Sequence, residues 1–196
     1  MPKLVMKFGG TSVSDVDRIK NAASRVRAEV EKGFDVIVIV SAMAGETNRL
    51  VSLVNSVSSL YDAREYDAIV SSGENASAGL MALTLQNMGV SARSWQGWQV
   101  PLITNSAHGS ARIMEISTRK LNKKFLEGMR VAVIAGFQGL TKDGRLSTLG
   151  RGGSDTTAVA FAAAFEAKQC EIYTDVDGIF TADPRITNKA KKLSKI

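Results

Sequence analysis

The stretch LVMKFGGTSV, residues 4–13, decides how this chain is to be folded. An apolar run, Leu4-Val5-Met6, passes through Lys7 and Phe8 into Gly9, Gly10, Thr11 and Ser12. A short continuous apolar run bounded by turn residues reads as a strand buried on both faces. Beyond the glycines, Val16, Ile19, Ala23, Val26 and Val30 recur three or four apart, which predicts a helix with Ser14 as its N-cap and Gly33 past its end. Strand, glycine turn and helix together form the opening of a βαβ unit.

Working outward, similar runs predict strands at Val36–Val40, Ala68–Ser71, Val131–Ala135 and Glu171–Val176. Between them, Leu50, Leu53, Val54, Val57 and Leu60 carry helical spacing, as do Leu80, Leu83 and Met88 before Gly89. An alanine-rich segment, Asp155–Glu166, predicts a further helix. Alternating strand and helix implies an α/β fold, a parallel sheet covered by helices on both faces. Phe137–Leu149 departs from the alternation, because Asp143-Gly144 between short segments predicts a type I′ hairpin.

Composition narrows the class. The 196 residues, 44% hydrophobic and 22% charged, suit one globular domain, and 17 glycines against 3 prolines suggest sharp turns rather than linkers. The net charge of +6 suits anionic ligands, but the basic residues are scattered apart from Lys189, Lys191, Lys192 and Lys195, and 6% aromatics is thin for stacking bases. Nucleic acid is therefore not an expected partner. A single cysteine, Cys170, and a single histidine, His108, exclude a disulfide framework and a Cys/His metal cluster. No apolar stretch has the length of a membrane span or a signal-peptide core, so a cytoplasmic protein without membrane contact is expected.

In open parallel sheets, ligands gather beyond the carboxyl ends of the strands. Gly9-Gly10-Thr11-Ser12, Ser41-Ala42-Met43-Ala44-Gly45 and Ser72-Gly73-Glu74 each follow a predicted strand. The Gly9-Gly10 turn would let backbone N–H groups approach an anion beside Lys7, although two glycines also serve an ordinary turn. Gly139–Gly144 has the P-loop glycine spacing but lacks the following Lys-Ser/Thr pair, and Gly150-Arg151-Gly152-Gly153 has Asp155 where a dinucleotide fingerprint needs glycine. The latter run instead precedes Ser154, read as the N-cap of an anion-ready helix. Asp155 would repel a phosphate unless it bound magnesium or oriented a lysine. Asp175 and Asp177, with Asp183-Pro184-Arg185, could grip ribose, base or metal, or simply end a strand. His108 reads as a loop or surface residue.

Taken together, KFGGTSV, VSAMAGETNRL, SSGEN, GWQVPLITNSAHGSARI, TLGRGGSDTTAVA and EIYTDVDGIFTADPR resemble the catalytic domain of the aspartate kinases, within the amino-acid kinase family. They occur in that family's order across nearly the whole chain. The resemblance implies a three-layer αβα sandwich around an open, mainly parallel, eight-stranded sheet, and transfer of the γ-phosphoryl of MgATP to the β-carboxylate of L-aspartate. The product would be 4-phospho-L-aspartate, an entry to lysine, threonine and methionine synthesis. It implies Lys7 and Asp155 as catalytic residues, with Lys7, Phe8, Gly9 and Gly10 at the ATP phosphates. Thr174, Asp175, Asp177, Phe180, Asp183 and Arg185 would border the nucleotide. Ser41, Thr47, Glu74, Arg151, Gly152 and Ser154 would face the amino acid, and Mg2+ would arrive with ATP.

The resemblance also implies structure beyond KLSKI, including a GAKV segment with a second active-site lysine, and paired ACT regulatory domains. Residues 1–196 are thus expected to be the major part of a catalytic domain without ACT modules, incomplete at its C-terminus, with an exposed edge that invites homo-oligomers. Asn105 stands where the family pattern has aspartate. Two other readings stay open: a kinase of glutamate, acetylglutamate, carbamate or UMP, and a catalytically silent nucleotide-binding module acting through assembly.

Overall fold

Strand β1 (Lys3–Phe8) is the axis on which everything else is placed: it pairs in parallel with β2 (Asp35–Val40) on one side and β9 (Gln169–Tyr173) on the other. The computed structural model describes residues 1–100, 102–175, 178, 181, 182 and 186–192. Its central sheet is continued from β2 by β6 (Val131–Ala135) and β3 (Ala92–Trp95), giving the all-parallel order β3-β6-β2-β1-β9.

The two-residue period of a strand sorts its side chains between two cores. Leu4, Met6, Phe8, Val36, Val38 and Val40 pack under α1 (Val16–Glu31) and α4 (Ser72–Asn87). Val5, Ile37 and Ile39 face the opposite way, against α6 (Gly153–Ala164) and α5 (Arg119–Leu126). Each fully buried Leu, Ile or Phe contributes roughly 1.5–3 kcal/mol, so these layers hold the fold. Lys7 follows Val5 on the α6 face and stands level with Ile39 and, one strand further, Ile134. A lysine in that apolar row has no solvent of its own and must find a charge partner.

A second sheet, in the order β5-β4-β7-β8, consists of β4 (Leu102–Thr104), β5 (Ile113–Ile116), β7 (Gln138–Thr141) and β8 (Leu146–Thr148). With α2 (Glu46–Val57) and α3 (Ala63–Val70) it walls the carboxyl edge of the central sheet. Among the described residues the central sheet has five strands rather than the implied eight.

Several expectations are corrected. Ala68–Ser71 belongs to α3, capped by Asp62, because Asp67 and Val70 turn inward three apart, the spacing of a helix, while Ala68 and Ile69 are exposed. Asp15, not Ser14, caps α1: its side chain accepts the Arg18 N–H at 2.8 Å. Leu53, Val57, Leu80 and Leu83 are exposed on helices placed as expected, and Leu50, Val54, Met81 and Leu85 are the buried ones. The 137–149 hairpin forms, but not with a type I′ turn: of the turn residues 142–144 only Gly144 has positive φ (+82°), and its N–H donates to the Thr141 carbonyl at 2.9 Å. A single left-handed residue suits a longer loop with a bulge. β3, β4 and β5 were not foreseen, since strands of three or four residues with polar members give no periodic signal.

Candidate active site

The loops that leave β1, β2 and β6 surround a cleft of about 580 Å³. Lys7 enters it from the sheet, 7% exposed, with Nζ 2.7 Å from Asp155 Oδ1 in the first turn of α6. The contact is an ion pair without hydrogen-bond alignment. A side chain at position 9 would reach within 3.4 Å of that ammonium, so glycine keeps Lys7 open to the cleft. At position 10, a Cβ would lie 2.9 Å from the Ala42 carbonyl oxygen, so only glycine lets the two loops touch. The Gly9 N–H is engaged by the Tyr173 carbonyl at 3.3 Å and so is already spent.

Glu74 forms the opposite wall from the first turn of α4, 3% exposed. Its Oε1 accepts the Ala42 N–H at 3.1 Å, while buried Oε2 has no hydrogen-bond partner among the described residues. Burial pushes the carboxyl up to about 7, against the opposing pull of backbone N–H groups at Ala42 and Glu74. An acceptor buried without a donor in a cleft suits a cationic ligand group. Ser41 and Thr47 line the same cleft, Thr47 from the start of α2 behind the left-handed Gly45.

Arg151 is exposed at the cleft between Gly150 (φ +77°) and Gly152 (φ +74°), and makes no ion pair among the described residues. Gly152, not Ser154, is the N-cap of α6: its carbonyl accepts the N–H groups of Asp155 and Thr156, and Ser154 is already helical and buried. The left-handed backbone at position 152 starts the helix two residues sooner than a serine cap would.

Lys7, Gly10, Ser41, Thr47, Glu74, Arg151, Gly152, Ser154 and Asp155 therefore meet at one cleft. Phe8 does not: its ring is buried and stacked on Tyr173 with centroids 4.7 Å apart, so only its backbone is available to a ligand. Thr174 borders a separate hollow of about 520 Å³ with Arg18, Arg25 and Tyr173, and Asp175 follows it. Asp177, Phe180, Asp183 and Arg185 lie outside the described residues. Among the described residues, no group of three His, Cys, Asp or Glu side chains could hold a metal ion.

Two features of the wall had no signal in the sequence. Phe137 has φ +68°, rare for an aromatic residue, held by its N–H on Thr157 Oγ1 at 3.2 Å and its carbonyl on the Leu149 N–H at 2.9 Å. Asp67 is fully buried and binds His108 Nδ1 at 2.7 Å, the Gly109 N–H at 3.1 Å and Thr148 Oγ1 at 2.6 Å. His108 is accordingly half-buried and paired rather than a surface residue.

A model described as "Amino acid kinase family" matches residues 2–196. An aspartokinase of Rickettsia felis is 53% identical over all of this chain and 49% of its own length. Among solved structures, aspartate kinase from Synechocystis superposes with TM-score 0.79 and 44% identity, over 96% of this chain and 31% of that one. Aspartokinase III of E. coli, in complex with aspartate and ADP, superposes with TM-score 0.82 at 29% identity, over 97% and 53%. The chain spans about half the length of the curated relatives it matches.

Proposed function

The chain belongs to the amino acid kinase family, and on that premise we propose that its cleft presents L-aspartate to the γ-phosphoryl of ATP. One observation carries the reading: among the described residues, Glu74 Oε2 has no donor and Arg151 no acceptor, and both share a cleft with buried Lys7. An α-amino acid offers the complement, an ammonium for Glu74 and a carboxylate for bidentate contact with Arg151. Ser41 and Thr47 supply hydroxyls, while Gly152 and Ser154 shape the start of α6.

The acceptor needs no general base, because a side-chain carboxylate with an ordinary pKa near 3.9 is ionised at neutral pH. Its oxygen forms a bond to the γ-phosphorus as the bond to the bridging oxygen breaks, and ADP leaves with no net proton transfer. Lys7 holds positive charge at the transferring group, where phosphoryl transfer needs it most. Asp155 keeps that ammonium in place and removes the need for a solvent partner. Mg2+ is proposed to enter with ATP, with Asp155 as the nearest cleft carboxylate to orient it; the ion supplies charge neutralisation. The notion that 174–185 border the nucleotide belongs to the same proposal. So do the reading of 1–196 as the major part of a catalytic domain, a cytoplasmic setting and self-association. Among the described residues no helix is long and apolar enough to cross a membrane.

Hydroxylamine trapping of the acyl phosphate tests the proposal. ATP with L-aspartate should give hydroxamate, and ATP with glutamate, or alone, should not. ATP turnover without aspartate-dependent hydroxamate would overturn the choice of acceptor, and an absence of both would favour a silent module.

A further inference from the structure

A fully buried carboxylate costs several kcal/mol unless donors surround it. Asp67 has three, and none comes from its own helix. Thr148 Oγ1 donates to Oδ1 at 2.6 Å from β8, the Gly109 N–H reaches both oxygens at 3.1 Å, and His108 Nδ1 sits 2.7 Å from Oδ2. The last two belong to the loop joining β4 to β5. That loop is drawn together by Asn105, whose Oδ1 accepts the N–H groups of Ala107 at 3.3 Å and Arg112 at 3.0 Å. An acceptor oxygen is all this clamp requires, so asparagine serves where the family pattern has aspartate. The Ala111 N–H then donates to the Thr148 carbonyl at 2.8 Å, hanging the loop on β8.

The far side of the loop meets the cleft. The Gly109 carbonyl oxygen lies 3.3 Å from where a Cβ on Gly150 would stand, so the Gly109 backbone is pressed against the residue before Arg151. Gly109, Thr148 and Gly150 all line the cleft with Arg151. Arg151 makes no hydrogen bond or ion pair among the described residues. Its direction is set by the backbone of 149–152, whose ties include Leu149 N–H to the Phe137 carbonyl and Gly153 N–H to the Gly150 carbonyl.

The geometry points to Asp67 as a positioning residue: through His108 and Gly109 it holds the 105–110 loop against Gly150, and so aims Arg151 at the acceptor. Only the identity of that acceptor rests on the function proposed above. Asp67 touches no reacting group; its effect reaches the cleft through the loop, and falls on the acceptor half rather than on Lys7.

The test uses the full chain carrying His108→Ala, which removes one donor from a half-buried position and leaves the cores intact, and His108→Gln, which restores an N–H donor. In the ligand-free protein, His108→Ala should speed amide exchange at Leu149 and Gly153 by about tenfold or more, with β1 and β2 unchanged. In turnover it should raise the KM for aspartate about tenfold, with kcat and the KM for ATP within about twofold, and His108→Gln should recover most of the loss. Exchange at Leu149 and Gly153 within about twofold of the parent overturns the inference, as does an equal loss for aspartate and ATP. A parent chain inert towards aspartate would sink the proposed function instead, and the exchange rates alone would then decide the role of Asp67.

Discussion

Asp67 and Glu74 are both buried carboxylates, set on either side of the junction where α3 passes into α4. Asp67 is 0% exposed and has donors from three residues on two other elements. Glu74, at 3%, accepts the Ala42 N–H on one oxygen, and its other oxygen has no hydrogen-bond partner among the described residues. The first is the expected state of a buried anion, and its energy goes into holding a loop. The second is a cost that folding alone does not offset, and it persists where a ligand can complete the set. The same residue chemistry thus serves architecture in one place and recognition in the other, and the difference lies in who supplies the donors.

Lys7 puts the greatest strain on this comparison, because it is paired with Asp155 yet assigned to recognition. Lys7→Ala should lower kcat about a thousandfold while circular dichroism stays unchanged. An unaltered kcat would move Lys7 to the architectural class with Asp67. Next comes Asp67→Ala, which leaves three donors facing a hole and should cost about 3–5 kcal/mol in urea unfolding. A loss under about 1 kcal/mol would show that the donors find other partners.

Glu74→Gln sharpens the contrast through pH. The folded carboxyl is raised to about 7 from 4.5, so its contribution to stability is fully present below pH 4.5 and is lost as pH rises towards 7. The parent should lose about 3 kcal/mol relative to Glu74→Gln across that window, read from thermal midpoints of the two proteins. Parallel profiles would mean that Glu74 is satisfied after all. The same variant should raise the KM for aspartate about tenfold or more without changing that for ATP. The smallest effect is expected at Asp15, a carboxylate satisfied by the Arg18 N–H but bathed in solvent. Asp15→Ala should lower the thermal midpoint only slightly and leave turnover alone.

Much of the fold was legible because its signals are local. The apolar runs of β1, β2 and β6 are continuous, and Gly33 ends α1 in the left-handed conformation its position suggested. Ala68–Ser71 misled because four apolar-leaning residues satisfy a strand and a helix turn equally, and only the packing of Asp67 and Val70 decides. Within the candidate site, the glycine-bearing turns, Glu74 and Arg151 were visible as motifs. The family resemblance set Phe8 beside the ATP phosphates, yet strand alternation sends its ring to the opposite face from Lys7, leaving its backbone to meet a ligand.

By itself, then, the sequence determined the strand and helix alternation and the turns that call for glycine, since spacing of two or three to four residues and backbone sterics act within a few residues of chain, while the grouping of site residues came from the resemblance of whole motifs. The tertiary structure alone decided which buried charges are complete. Whether Asp67 is satisfied depends on His108, Gly109 and Thr148, and whether Glu74 is depends on what else reaches Ala42, all brought together only by folding. A hydrogen bond is a short-range, directional contact between groups far apart in sequence, so no local pattern of residues can record it.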